Sequence, residues 1–576
     1  MATNVTKKRR SQQTQAVIRL VMMAAILVCI NMLAARFHYG LDLTKEKRFT
    51  LSPTTKKLLR SMDDVAVVNV YLTGKKLPAG FQRLQEATRE RLQSFREYTG
   101  SQIVVHFEDP FEGKTEEEKG PIYNDLASQG VQPMSLNVNT DEEGYSQRII
   151  FPYAVVQYKG GTVAVKLLDN RAGLTPLEVL NYSESVLEYK FANAINRLTQ
   201  KKKPEVAYIM GHGETLNMNS FDLLTSMRSQ YVVDTLDLPA SLYIPNYYKA
   251  IIINKPTLPM DDKDKYKIDQ YVMAGGHVLW AVDAIRAGMD SFATNSQQFI
   301  ATPYELNLDD ILFKYGVRIN PNLVEDLYCL QIPVNVRGSQ QMELHNWLYA
   351  PLLTSSDAHP ISKNLDGVVS MFASTIDTTS TNNIKKTVLL QSSKYSRVVQ
   401  APTRVSLSTL NYDPRPDLFN VPNNPVAVLL EGEFKSVFNN RLAPSFLATM
   451  RDSLKRPFIA KADTPTSMIV IADGDVLNND FSQTLGPMEM GYWKFTQERY
   501  ANKTFVLNCL EYLTDNSGLL EARTKDTRLR LLDSSRAKKE KTMWQVVNIG
   551  IPVVLVLIFA SCYFFFRKRR YEKKAA

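Results

Sequence analysis

Two apolar stretches bracket the 576 residues almost end to end, and each carries a basic cluster on its outer side. Residues 16–35 and 546–566 are each about 20 residues long, enough for a helix to cross a hydrocarbon core of roughly 30 Å. Lys7, Lys8, Arg9 and Arg10 precede the first, and Arg567, Lys568, Arg569 and Arg570 follow the second. Basic residues favour the cytoplasmic side, so both termini are expected there, with everything between residues 36 and 545 on the other side. A cleaved signal peptide competes for the first stretch. The run is longer than an ordinary signal core and no good cleavage site follows it, which favours an uncleaved anchor.

The formal charge of +10 sits in the two tails. Residues 1–35 contribute +5 and residues 567–576 another +5, so the stretch between them is neutral. Anionic lipid is the natural partner of such tails, and nucleic acid is excluded as a partner. Four cysteines are too few for a disulfide scaffold, and Cys29 and Cys562 lie inside the apolar stretches. For Cys329 and Cys509, two free buried thiols are favoured over a disulfide. Six scattered histidines leave little material for a metal centre, and no resident metal or cofactor is expected.

About 500 residues outside the stretches exceed a single core, and an α/β fold class is expected for them. Residues 65–72 are β-branched and read as a strand, and Phe81, Leu84, Leu92 and Phe95 recur at helical spacing until Gly100. Residues 103–107 form a second strand, completing a βαβ unit that fits half of a thioredoxin-like sheet but has no C-x-x-C. Strands at 154–158 and 162–168 flank a Lys159-Gly160-Gly161 turn. Thr175, Pro176 and Glu178 then spell a helix start with a capping box, reinforced by a Leu174–Val179 staple. Residues 201–204 (KKKP) mark a boundary. Beyond it, strands and helices alternate through residues 206–282, which predicts an open, mostly parallel sheet. Residues 426–430 and 468–472 are candidates to rejoin that sheet, and residues 502–514 read as a final helix. Residues 295–425, rich in Asn, Ser, Thr and Pro, read as an insertion.

Ligands gather at the carboxyl ends of strands in such sheets. Those ends carry Gly211-His212-Gly213-Glu214, Asn254-Lys255-Pro256 and Asp283, so His212, Glu214 and Asp283 are candidates to converge on a small ligand or a metal. The simpler reading is a glycine-permitted turn with Glu214 as a cap. No G-x-S-x-G or G-x-C-x-G elbow occurs, and neither Cys329 nor Cys509 sits in one, so no catalytic residue is assigned. Asp473-Gly474-Asp475 departs from the calcium-loop pattern and reads as a polar turn. There is no P-loop, so any ATP-driven role must use a partner's energy.

The chain resembles the gliding motility-associated ABC transporter auxiliary proteins, the GldG family of Bacteroidetes. Carrying the resemblance are Asp42-Leu43-Thr44, the run Lys47-Arg48-Phe49-Thr50-Leu51-Ser52, Leu187-Glu188-Tyr189 and the Gly211–Glu214 segment. Further along come Ile268-Asp269-Gln270-Tyr271, residues 275–280, residues 472–475, Arg523-Thr524-Lys525 and residues 529–533. The resemblance implies a two-pass inner-membrane subunit with a periplasmic domain, working with a multi-span permease-like subunit and a cytoplasmic ABC ATPase. It links that assembly to gliding motility and type IX secretion, and implies a noncatalytic, amidotransferase-like central domain. The organisation expected is a tail at 1–15, a transmembrane helix at 16–35 and a first periplasmic α/β domain at 36–200. A second, amidotransferase-like domain at 201–515 contains the 295–425 insertion. A juxtamembrane segment at 516–545, a transmembrane helix at 546–566 and a tail at 567–576 complete the chain.

Two functions from different classes follow. In one, a noncatalytic subunit couples a permease to periplasmic partners. In the other, the strand-end loops bind or hydrolyse an envelope glycan or another small ligand. Arg19 lies near the start of the first apolar stretch, where it either snorkels to the headgroups or pairs with an acid on a partner helix.

Overall fold

The computed structural model describes residues 18–32, 50–524 and 534–572, apart from short breaks at 75–76, 101, 141–143, 170–174, 201, 293–296, 335–341, 357–358, 382, 454, 485 and 516–517. The basic cluster at 7–10, residues 42–49, Leu174 of the staple, Lys525 and residues 529–533 lie outside the described residues. The chain forms two compact units, Met1–Asp526 and Thr527–Ala576.

The first core of the larger unit surrounds a four-stranded sheet. Its strands are β1 (Ala66–Val70), β2 (Ile103–Phe107), β3 (Tyr153–Tyr158) and β4 (Gly161–Lys166), in the order β2-β1-β3-β4. β1 and β2 are parallel, while β3 and β4 run antiparallel to their neighbours. Helix α1 (Pro53–Arg60) precedes them and α2 (Ala79–Thr99) links β1 to β2. Gly100 ends α2 in the left-handed conformation at φ 64°, where an L side chain is disfavoured. The β3–β4 turn uses Lys159 and Gly160 alone, with φ of 48° and 78°. Two positive φ values give the turn whose twist matches the flanking strands, and Gly161 has already entered β4.

Period-two alternation divides β3 between two apolar layers. Ala154, Val156 and Tyr158 pack with Leu84, Leu92 and Phe95 of α2, whereas Tyr153 and Val155 pack with Leu126, Val131 and Phe151. Helices α3 (Pro176–Ser185) and α4 (Leu187–Thr199) follow β4. Thr175 and Glu178 form the expected capping box, with Pro176 in the first turn. α4 buries Leu187, Phe191, Ala194 and Ile195 in the same core as α2. Truncating a fully buried ring such as Phe95 in a core like this costs about 3–5 kcal/mol.

The second core surrounds a ten-stranded sheet. It begins with β5 (Glu205–Met210), α5 (Phe221–Arg228), β6 (Val232–Asp237), β7 (Tyr248–Asn254), α6 (Asp262–Met273) and β8 (His277–Ala281). It continues through β9 (Cys329–Val334), β10 (Glu343–Ser355), β11 (Ile384–Gln391), β12 (Pro425–Gly432) and β13 (Thr466–Ile471), and ends with helix α7 (Asn502–Thr514). The strand order is β9-β10-β11-β12-β13-β8-β7-β5-β6, with Val368–Val369 paired beside β10.

Only part of this sheet is parallel. β13, β8, β7, β5 and β6 run parallel, and β9 to β12 extend them in antiparallel pairs. The expectation of a mostly parallel sheet is corrected accordingly. The cause is the polar segment 295–425, which contributes β9, β10 and β11 as hairpin-type neighbours of β12 instead of looping away. The inner parallel strands β5, β7, β8 and β13 read as apolar runs because both faces are covered, whereas β6, at the sheet edge, is polar and largely exposed. Val206–Ile209, Ala250–Ile253 and Val278–Ala281 are fully buried, and α7 packs on β7, β8 and β13. A third cluster, built on Trp347, Tyr349 and Phe372, joins β10 to residues 285–301.

The smaller unit contains α8 (Ser534–Glu572). Within its segment Lys539–Arg569 the most apolar stretch of 18 residues has a mean hydropathy of 2.5, and among the described residues this is the one helix long and apolar enough to cross a membrane. The described part of the first apolar stretch is a shorter apolar helix, Ile18–Met32, which carries Arg19.

Candidate functional site

The carboxyl ends of β5, β7, β8 and β13 lie side by side, because these strands are neighbours and parallel. β5 runs into Gly211-His212-Gly213-Glu214. A Cβ on Gly211 would lie 2.3 Å from Pro239 Cδ and one on Gly213 only 2.1 Å from Thr257 Oγ1, and both residues have positive φ. Glycine is therefore needed at both positions, for close approach as well as for conformation. The His212 carbonyl accepts from the Thr257 and Leu258 amides at 2.9 Å, tying the loop to the chain after β7.

His212 is buried and its Nε2 lies 3.0 Å from Asp264 Oδ2, in the first turn of α6. The other Asp264 oxygen accepts from Lys267 Nζ at 2.6 Å. Glu214 Oε2 accepts from the His212 amide at 2.6 Å, so this carboxylate folds back on its own loop. His212 Nδ1 and Glu214 Oε1 stand 3.5 Å apart, and neither has a hydrogen-bond partner among the described residues. Burial alone would lower the His212 pKa, but Glu214 and Asp264 outweigh it and raise the value above the usual range.

Asp283 belongs to a different group. Its Oδ2 lies 3.1 Å from Lys255 Nζ and its Oδ1 accepts from the Gly474 amide at 2.6 Å. Lys255 also reaches Asp475 Oδ1 at 2.5 Å. Asp473 Oδ2 accepts from the Met371 amide at 2.7 Å and its Oδ1 from the Asp475 amide at 2.8 Å. Burial raises the pKa values of Asp283 and Asp473. For Lys255, burial works against the charged form, yet Asp475 and Asp283 prevail and hold the ammonium charged. Asp473-Gly474-Asp475 is thus a capped turn in which Asp473 caps the start of the short helix Gly474–Leu477.

The three residues singled out in the sequence therefore occur in two polar groups. His212 and Glu214 meet each other, and Asp283 meets Lys255. Asp264 was the residue that sequence reasoning missed, because nothing local marks a helix-start aspartate as the partner of a histidine 52 positions earlier. Among the described residues, no group of three or more His, Cys, Asp or Glu has the arrangement of a metal site. Cys329 and Cys509 are free thiols. Burial pushes Cys329 up to about 12 and Cys509 well above its ordinary value, which disfavours the thiolate a nucleophile requires.

A family model described as an ABC-type uncharacterized transport system matches residues 203–509, just over half of the 576 residues. The chain belongs to this family. The match starts just before β5 and ends within α7, so the transport-system family is defined by the large sheet and its strand-end loops. A second model, for a domain of unknown function, matches residues 45–157 and covers β1, β2 and most of β3. A protein of Borreliella burgdorferi, described as uncharacterized, is 19% identical over 557 residues, covering 92% of this chain and 94% of its own length. The solved structure titled mmIFT52 N-terminal domain matches 54% of this chain and 98% of its own, at 12% identity and a TM-score of 0.29, a likeness too loose to argue from. With its long apolar helix, this member of a transport-system family is a membrane-associated protein.

Proposed function

We propose that the chain is a noncatalytic, membrane-anchored subunit of an ABC-type transport assembly. It rests its apolar helices on a multi-span permease-like subunit, and a separate cytoplasmic ATPase supplies the energy. The observation that carries this reading is the transport-system family match across the whole large sheet. The apolar stretches at 16–35 and 546–566 support two crossings, with cytoplasmic basic tails against anionic lipid and the bulk of the chain in the periplasm. The β2-β1-β3-β4 order supports a thioredoxin-like first domain at 36–200, and the parallel strands support an amidotransferase-like second domain at 201–515. The GldG-like motifs extend the reading to gliding motility and type IX secretion in an inner membrane. Arg19 is then a contact to headgroups or to an acid on a partner helix.

Affinity purification in mild detergent, with identification of the bound subunits, tests this. A permease and an ATPase should co-purify, and recovery as a lone monomer would overturn the reading.

A second reading, a small-ligand or envelope-glycan site in the strand-end loops, draws support from His212 Nδ1 and Glu214 Oε1, which face each other at 3.5 Å without a hydrogen bond among the described residues. It predicts that joint alanine replacement of His212, Glu214 and Asp283 abolishes function while the assembly still forms. A fully functional triple variant would remove it.

A further inference from the structure

A cavity of about 380 Å³ opens within the larger unit, walled by β4 and α4 from the first core and by α7 and residues 489–501 from the second. That volume suits a small organic molecule. Val163, Val186 and Leu507 supply an apolar wall, and the lining also carries six basic and four acidic side chains, Asp366 among the acids.

The charges do not balance in pairs. Lys190 is held by Asp169 at 2.8 Å, Arg499 by Glu489 at 3.3 Å and Lys503 by Asp222 at 2.9 Å. Lys166, Arg197 and Arg523 also line the cavity, and none of the three has an ion pair among the described residues. Arg197 Nη2 donates to the Ser229 carbonyl and Arg523 Nη2 to the Tyr182 hydroxyl, both at 3.0 Å. Arg523 is only 3% exposed, and its Nη1 is buried without a partner among the described residues. The nearby carboxylate of Glu511 is engaged elsewhere, by the Tyr189 hydroxyl and by Asn193 Nδ2 at 2.8 Å. Arg523 is the deeply buried member of the three, Arg197 is half-buried and Lys166 is exposed at the cavity mouth. Burial lowers the pKa of Arg197, while at Arg523 burial is outweighed by Tyr182, Tyr189 and Asp169, which keep the guanidinium charged. Leaving a buried guanidinium donor unfilled is costly, and an anion relieves that cost with short, charge-assisted hydrogen bonds.

We propose that this cavity binds a small organic oxyanion, a carboxylate or a phosphate monoester, whose charged head is met by Lys166, Arg197 and Arg523 and whose body lies on the apolar wall. The site is separate from the strand-end loops and goes beyond the transport-subunit reading.

The test is isothermal titration of the full chain in detergent with phenyl phosphate, benzoate and the neutral benzyl alcohol. At least one of the two anions should bind, more weakly as salt rises, while benzyl alcohol should not. Comparing phenyl phosphate with benzoate separates phosphate from carboxylate recognition. Arg523→Gln and Arg197→Gln should each weaken the anion about tenfold or more. If Arg523→Gln fails to fold, Lys166→Gln is read in its place by the same criterion. Binding of neither anion above benzyl alcohol, or unchanged affinity in the folded variants, would overturn the proposal.

Discussion

The strand-end edge of the large sheet and the cavity between the two cores are both rich in buried charge, and they treat it in opposite ways. At the edge, Lys255 is shared by Asp283 and Asp475, and Asp473 is filled by backbone amides. In the cavity, Lys166, Arg197 and Arg523 form no ion pair among the described residues, and Glu511 is bound by neutral groups. Charge that is mutually satisfied holds neighbouring strand ends together, whereas charge left over is available to something that arrives. The Lys255 group, among the loops that topology marks as the natural ligand site, is therefore better filled than the cavity.

The largest expected effect falls on the satisfied side. Lys255→Met would leave Asp283 buried without its cation, and breaking a buried pair from one side costs about 3 kcal/mol or more. Urea unfolding should show this loss, and adding Asp283→Asn should recover part of it. An unchanged midpoint for Lys255→Met would break the contrast.

Glu511 gives the next effect. Burial raises its pKa from the usual 4.5 to about 7. Between those values the folded protein keeps a proton that the unfolded chain has released. Stability should therefore fall as pH rises through that window, by about 3 kcal/mol in all. Glu511→Gln should remove this slope when unfolding is compared at pH 5 and pH 8, and an identical slope in the variant would refute the assignment.

The smallest effect is expected for Arg197→Gln, whose unfolding free energy should stay within about 1 kcal/mol of the parent because no ion pair is lost. A loss as large as that for Lys255→Met would make the cavity cations structural and erase the distinction.

Much of this organisation was legible where the signal is local. The Thr175-Pro176-Glu178 helix start, the Gly100 stop and the alternating elements from β5 to β8 all follow from periodicity and capping chemistry. The antiparallel half of the large sheet was not. β10 and β11 lie in a stretch whose Asn, Ser and Thr content hides alternation, and their pairing is set by contacts distant in sequence. The same limit governs the sites. Glycine spacing located the His212 loop, but Asp264 became its partner, and Lys255 the partner of Asp283, only through the sheet. The cavity joins Tyr189 to Glu511 across 322 positions, beyond any spacing rule. Its one trace in the sequence is that Leu187-Glu188-Tyr189 and Arg523-Thr524-Lys525 both carry the family resemblance.

The first core is closed by segments from both sides of the large sheet in the sequence. Leu51 and Leu59 bury in it from one side of the sequence and Leu519 from the other, and α1 packs against the short helix Leu519–Thr524. The ten-stranded sheet is thus threaded between two points that are already joined. A mechanical pull applied to the chain at residues 50 and 524 would be carried by that small contact and the four-stranded core, leaving the large sheet outside the line of tension.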